Sequence, residues 1–307
     1  MSLLVAIPNR NIDKLVAKLH EQLGAEHVQI WPDISRPDDV TMVLGWQVPA
    51  ELWQQLPNVQ AVSSFGAGVD GLNLNAIPAH LPVARIVDNG LATDMAEYVL
   101  GHVLFHKLNM PRYVSQQQHQ QWRPKRVKPY NQVGMLGFGQ LGQAIAQRLV
   151  ANDFAVCAWS NSAKNNTDGI VHYYGEDALE AMLKQCDYLV NVLPLTEQTH
   201  KIIDEELLKH LPNHCVLINV GRGQHVDEDA LVEALNSGEL AGASLDVFIE
   251  EPLRQSHPFW STPNVIVTPH CSALSQIDAV VAQVVENYQR LCAGKTLLHR
   301  IDREKQY

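Results

Sequence analysis

The chain has 307 residues, enough for two domains of about 150 residues each. Hydrophobic residues make up 46% and charged residues 18%, the composition of an ordinary globular protein rather than a disordered or fibrous one. Its 23 Lys and Arg against 33 Asp and Glu leave a net charge of −10, which argues against a broad surface for phosphate backbones, so no nucleic-acid partner is expected.

The opening MSLLVAIPNRN holds a short apolar run without a basic flank. It is too short for a signal h-region and far below a membrane span of about 20 residues, so a cytoplasmic protein without a membrane partner is expected. Residues 3–7 read as a strand, and 12–23 place Ile12, Leu15, Val16, Leu19 and Leu23 at helical spacing. Residues 42–44, 59–63 and 83–86 read as further strands. A long helix is predicted from Asp94, with Thr93 as N-cap. Arg123, Lys125, Arg126 and Lys128 then form the one basic knot, which Pro124 and Pro129 break into a solvated loop.

A second strand series follows at 132–136, 155–159, 188–192, 216–220, 243–247 and 265–268, and 275–293 reads as an amphipathic helix. Alternating strands and helices predict an α/β protein with two doubly wound parallel-sheet domains and a cleft between them. We place the substrate domain at residues 1–96 plus 275–307 and the dinucleotide-binding domain at 97–274. The five cysteines, Cys157, Cys186, Cys215, Cys271 and Cys292, are odd in number and lack a C-x-x-C, which predicts buried free thiols rather than a disulfide framework or zinc site.

In VGMLGFGQLGQAIAQRL, Gly137, Gly139 and Gly142 form G-x-G-x-x-G between a strand and a helix. The glycines allow a tight turn, close approach of a pyrophosphate and close helix–strand packing. The first helical residues, Gln140 and Leu141, then offer amide donors at the positive end of the helix dipole. A packing-driven glycine turn is the bland alternative. An acid about 20 residues after the first glycine would bind a ribose 2′-hydroxyl and repel a 2′-phosphate. Here the second strand ends in Ser160, Asn161, Ser162 and Lys164, with Asp153 expected in the loop before it. Hydroxyls, an amide and an ammonium suit a phosphate, so NADPH is preferred over NADH, modestly because no arginine fork is present.

Three further segments place a cation, a carboxylate and an imidazole at strand ends: NVGRGQHVDEDAL with Arg222, GASLDVFIEEPL with Glu251, and NVIVTPHCSA with His270. In a doubly wound sheet, strand carboxyl ends form the ligand crevice. Reduction of a 2-oxoacid needs a cation for the carboxylate, a proton donor for the growing alkoxide and a hydride source. Arg222, His270 supported by Glu251, and a nicotinamide cofactor would supply them.

With SSFGAGVDGL, GFGQLG, LPLTEQT, NVGRG, LDVFIEEPL and TPH in this order, the whole chain resembles the D-isomer-specific 2-hydroxyacid dehydrogenase family, most closely its short glyoxylate/hydroxypyruvate reductase members. The resemblance implies Arg222, Glu251 and His270 as the catalytic set, the spacing to Pro252 selecting Glu251 over Glu250. It also implies Ala67 and Gly68 as backbone donors to the substrate carboxylate and Trp46 as a ring that narrows the substrate pocket. Gly66 and Gly68 also suit a purely conformational turn, and Trp46 a core position. Asp246 matches the acid that receives the nicotinamide carboxamide, and Leu193, Pro194, Thr199 and Val220 match cofactor-wall positions. Cys271 and Ser272 stand where many relatives carry small apolar residues or glycines, which leaves the packing beside the nicotinamide open.

Glyoxylate and hydroxypyruvate are the implied small-molecule substrates, and a homodimer formed through the cofactor domain is implied with them. A dehydrogenase for another D-2-hydroxyacid such as D-lactate is an alternative within the class. A cofactor-sensing binding protein on the same scaffold is the alternative outside it. His102 and His106 have the i, i+4 spacing of helical metal ligands, but no H-E-x-x-H is present, so packing positions are preferred and no metal is expected.

Overall fold

The computed structural model describes residues 1–163 and 169–304. By packing, the chain divides into two units, Met1–Gly90 with Ser275–Tyr307, and Leu91–Leu274.

The first unit opens with β1 (Ser2–Ala6), α1 (Asp13–Leu23), β2 (Val28–Ile30), β3 (Val40–Gly45), β4 (Ala61–Ser64) and β5 (Val83–Ala84). The strands form one parallel sheet in the order β2-β1-β3-β4-β5. Every residue of β1, β3 and β4 is buried, as expected for strands covered on both faces. Alternation sorts the two cores: Leu3 and Val5 of β1 pack with Leu15, Leu19, Val280 and Val284, whereas Leu4 and Ala6 pack with Leu52, Trp53 and Leu72.

The chain continues through α2 (Asn89–Lys107), α3 (Met110–Gln118), β6 (Gln132–Leu136), α4 (Gln140–Val150), β7 (Ala155–Ser160), β8 (Ile170–Tyr174), α5 (Glu176–Leu183), β9 (Tyr188–Asn191), α6 (Glu205–Lys209), β10 (Val216–Asn219), α7 (Glu228–Ser237), β11 (Gly242–Leu245) and β12 (Val265–Val267). It returns to the first unit with α8 (Ile277–Cys292). The second sheet is parallel, in the order β12-β11-β10-β9-β6-β7-β8. Val156 and Ala158 of β7 join Val99, Val103, Ile145 and Leu149 on one face; Cys157 and Trp159 join Met182, Leu207 and Leu231 on the other. Both sheets are thus doubly wound, the fold read from the sequence.

Several details depart from the predicted elements. Among the described residues the first sheet has five strands, not four, the added β2 being a three-residue edge strand, and α3 is a helix separate from α2. The second sheet has seven strands among the described residues, not six. The added β8 is an edge strand with only Ile170 buried, so its apolar pattern is weak. Helix α2 starts at Asn89, which leaves Thr93 inside it; Asp88 caps the helix instead, its carboxylate accepting the Gly90 N–H at 2.8 Å. Cys157, Cys186 and Cys215 are buried, but Cys271 and Cys292 are exposed. The basic segment 121–131 runs without helix or strand. Among the described residues, no helix is long and apolar enough to cross a membrane.

Candidate active site

In the second sheet the strand order reverses between β6 and β9, a topological switch point where doubly wound sheets bind ligands. The glycine turn sits there. Gly137 has φ +104°, and a Cβ on it would lie 3.0 Å from the Val192 backbone. A Cβ on Gly142 would lie 2.4 Å from the Gly137 carbonyl oxygen. These two glycines therefore answer to the protein's own packing. Gly139 does not: a Cβ there would meet nothing within 4 Å. It is the N-cap of α4, whose first residues Gln140 and Leu141 begin the helix, so the helix start presents backbone amides beside open space. This cradle fits a pyrophosphate.

At the end of β7, the Ser160 hydroxyl donates to the Ser162 carbonyl (3.0 Å) and lies 2.9 Å from His172 Nε2. The Asn161 amide reaches Gln198 at 3.3 Å. Lys164 lies outside the described residues. Asp153 occupies the turn before β7 at φ 64°, so it does not stand at the strand's carboxyl end.

Arg222 follows β10 and is anchored from beneath by a network that sequence reasoning did not find. Asn191, Asn219 and His225 are fully buried. The Asn191 amide donates to Asn219 Oδ1 and to His225 Nδ1, both at 2.9 Å. His225 Nδ1 also accepts the Arg222 N–H at 3.1 Å, so the remaining ring proton is on Nε2, which donates to the Pro194 carbonyl at 3.2 Å. Asn219 Nδ2 donates to the Arg222 carbonyl at 3.1 Å. The Arg222 backbone is thus fixed from both sides, and its Nη1 donates to the Gly221 carbonyl at 2.7 Å. The paired strand-end asparagines of VNVLP and INVGRG were the available signal, but nothing in the sequence says that they meet.

The segment after β11 carries Glu251, and the turn after β12 carries His270. His270 Nδ1 lies 2.7 Å from Glu251 Oε2, while Glu251 Oε1 accepts the Phe248 N–H at 3.1 Å. Burial acts to raise the Glu251 carboxyl. The His270 and Phe248 hydrogen bonds, with the charges of His270 and Arg222, outweigh it and hold the group below its ordinary range. Neighbouring Glu250 instead pairs with Arg254 at the surface, 3.0 Å away. Arg222, Glu251 and His270 therefore stand at the carboxyl ends of three adjacent strands, β10, β11 and β12.

Asp246 is fully buried. Its carboxylate accepts the Thr268 hydroxyl (2.6 Å) and the Cys271 and Ser272 N–H groups (2.9 Å each). A carboxylate offers about four lone-pair sites, so capacity for one more donor remains. Burial and the adjacent Asp246 push the Cys271 thiol up from its ordinary value, away from a reactive thiolate. Leu193, Thr199 and Val220 are buried, the Leu193 backbone lies against Gly137, and the Thr199 hydroxyl donates to the Pro194 carbonyl at 2.7 Å. His102 Nδ1 and His106 Nε2 both bond Ser244 Oγ, at 2.8 and 2.9 Å, and burial lowers both imidazoles, His106 to about 3.

The remaining candidates lie in the first unit, also at strand carboxyl ends. Trp46 follows β3 and is half-buried, its ring 5.5 Å under the Arg10 guanidinium. Cβ atoms on Gly66 and Gly71 would lie 2.7 and 2.3 Å from that ring, so both glycines make room for Trp46. Ala67 and Gly68 occupy a turn held by Ser64, whose hydroxyl accepts the Gly66 N–H (3.2 Å) and donates to the Gly68 carbonyl (2.8 Å).

The chain is similar to known proteins in both sequence and fold. The family described as D-isomer specific 2-hydroxyacid dehydrogenase, NAD binding domain, matches residues 100–272. The chain is 38% identical to the glyoxylate/hydroxypyruvate reductase A of Serratia proteamaculans, with 96% of each chain covered. Among solved structures, a D-isomer specific 2-hydroxyacid dehydrogenase from Xanthobacter autotrophicus in complex with NADPH and MES is 34% identical. It superposes with a TM-score of 0.92 over 100% of this chain and 99% of that one. An NADPH-dependent glyoxylate/hydroxypyruvate reductase from Sinorhizobium meliloti, in complex with NADP and sulfate, gives 0.91 at 34% identity with 100% of both chains covered.

Proposed function

We propose, because this chain belongs to the D-isomer specific 2-hydroxyacid dehydrogenase family, that it uses NADPH to reduce glyoxylate, hydroxypyruvate and similar small 2-oxoacids to 2-hydroxyacids. The observation that carries this reading is the His270–Glu251 pair at 2.7 Å on the same sheet edge as Arg222 and the glycine turn. The roles of individual residues and the division into a substrate domain (1–96, 275–307) and a dinucleotide-binding domain (97–274) belong to the proposal. So do the homodimer, which light scattering checks, and the cytoplasmic setting.

In this mechanism the Arg222 guanidinium binds the substrate carboxylate and keto oxygen by charge-assisted hydrogen bonds. The N–H groups of Ala67 and Gly68 assist at the carboxylate, and the Trp46 ring limits the size of the substrate side chain. His270 Nδ1–H is committed to Glu251, which leaves Nε2 to give its proton to the oxygen as it becomes an alkoxide. The Glu251 carboxylate accepts the Nδ1–H and fixes the ring for that transfer. Gly139, Gln140 and Leu141 would hold the cofactor pyrophosphate in the turn that Gly137 and Gly142 shape, Leu193, Pro194, Thr199 and Val220 would line its path, and Asp246 and Ser272 would lie at its nicotinamide end. When bound, NADPH supplies the hydride.

The test is an assay of a 2-oxoacid panel with both cofactors. Turnover of glyoxylate and hydroxypyruvate is expected, with kcat/KM higher for NADPH than for NADH, because Ser160, Asn161 and Ser162 present no carboxylate to repel a 2′-phosphate. An NADH preference of about tenfold, roughly 1.4 kcal/mol, would overturn the cofactor assignment.

A further inference from the structure

We propose that Thr268 and Tyr98 are positioning residues for His270, acting through Asp246; this rests on the reading of His270 as the proton donor.

His270 sits at φ +50°, in the left-handed region that a non-glycine residue holds only where its surroundings impose it. Asp246 supplies the constraint. Its main-chain carbonyl accepts the His270 N–H at 2.8 Å, its Oδ1 accepts from the Thr268 hydroxyl and the Cys271 N–H, and its Oδ2 accepts the Ser272 N–H. Four residues of the turn are thereby tied to one buried side chain and its own backbone. The imidazole is aimed from the middle of this bracket.

The bracket depends on one hydroxyl. Thr268 gives its only hydroxyl proton to Asp246 Oδ1, so across the 2.6 Å contact with Tyr98 it is the acceptor and Tyr98 O–H the donor. Burial raises the Tyr98 phenol far above its ordinary value, which keeps that donor protonated. Tyr98 is held in turn: its ring packs on His102, centroids 4.2 Å apart and planes tilted by 33°, and His102 bonds Ser244, two residues before Asp246. Helix α2 thus grips β11 at Ser244 and the His270 turn at Thr268. Besides the main-chain N–H groups of Cys271 and Ser272, the turn offers Asp246 the Cys271 thiol, a weaker donor than the Thr268 hydroxyl.

Three variants test this: Thr268→Val, which keeps the shape and removes the hydroxyl, Thr268→Ser, which keeps the hydroxyl, and Tyr98→Phe. Two readouts are needed, kcat and KM for glyoxylate with NADPH, and the ring nitrogen signals of His270 by NMR, assigned by their loss in His270→Ala. A small displacement of a catalytic group is costly, so Thr268→Val is expected to lower kcat by about tenfold or more, with the KM for NADPH within about threefold of the parent. Its His270 Nδ1–H signal should shift or broaden. Thr268→Ser should restore both readouts, and Tyr98→Phe should fall between. Parental kcat and unchanged ring signals in Thr268→Val would overturn the proposal. Should that variant fail to fold, the same parental values in Tyr98→Phe would overturn it. If the parent protein turns over no 2-oxoacid, the functional reading fails, while the ring signals still decide whether Thr268 and Tyr98 orient His270.

Discussion

Replacing His270 with alanine is expected to lower kcat for glyoxylate reduction by about 10²–10⁴, the usual contribution of a positioned general acid, while the dissociation constant for NADPH stays close to that of the parent. The two effects separate because His270 meets Glu251 through Nδ1 and keeps Nε2 for the substrate oxygen, whereas the glycine turn lies at a different strand end. Glu251→Gln should give a smaller loss with a recognisable pH signature. The acid-side fall in activity that comes from protonating the Glu251 carboxylate should be absent in this variant, since an amide takes up no such proton. Because Glu251 is held below the ordinary carboxylate range, its own protonation should not limit the parent enzyme until pH drops below that range. Stopped-flow or steady-state rates across pH, with NADPH binding followed by fluorescence, provide the check. Undiminished kcat in His270→Ala would assign the proton to another group.

Arg222→Gln is expected to reduce kcat/KM for glyoxylate by about 10²–10⁴. A hydrogen bond to a charged group contributes roughly 1.5–3 kcal/mol, and Arg222 is assigned two such contacts with the substrate. Arg222→Lys should recover only part of the loss, because an ammonium keeps the charge but not the planar fork. The backbone position should survive both changes, since the Arg222 N–H and carbonyl are held by His225 and Asn219 rather than by its side chain. Steady-state kinetics at saturating NADPH measures the effect. A loss confined to KM for the cofactor would place Arg222 in another role.

The residues proposed to touch ligand were legible in the sequence because their chemistry needs particular side chains beside glycines at strand ends. Gly137, Gly139 and Gly142, and the Arg222, Glu251 and His270 set, could be found this way. What holds them was not legible. Asn191, Asn219 and His225 meet only when β9 and β10 lie side by side, and Tyr98 reaches Thr268 across 170 positions of sequence. Local pattern is silent about such contacts. The same limit explains the start of α2: Thr93 and Asp94 form a plausible cap in isolation, but Asp88 already takes the Gly90 N–H and the helix begins sooner. It also explains β8, an edge strand without the buried alternation that marks the other strands of its sheet. The glycines at 66 and 71 carry no positive-φ requirement; the Trp46 ring demands them, and no reading of the turn alone could have found that.

A crystal structure of the chain with NADPH and oxamate, a 2-oxoacid mimic that is not reduced, would probe the proposed chemistry without relying on rates. The Arg222 guanidinium and His270 Nε2 should each lie within about 3.2 Å of the same oxamate molecule, with the nicotinamide ring against its carbonyl carbon. Oxamate bound elsewhere, or His270 Nε2 turned away from it, would contradict a mechanism in which one guanidinium and one carboxylate-supported imidazole act on a single small keto acid.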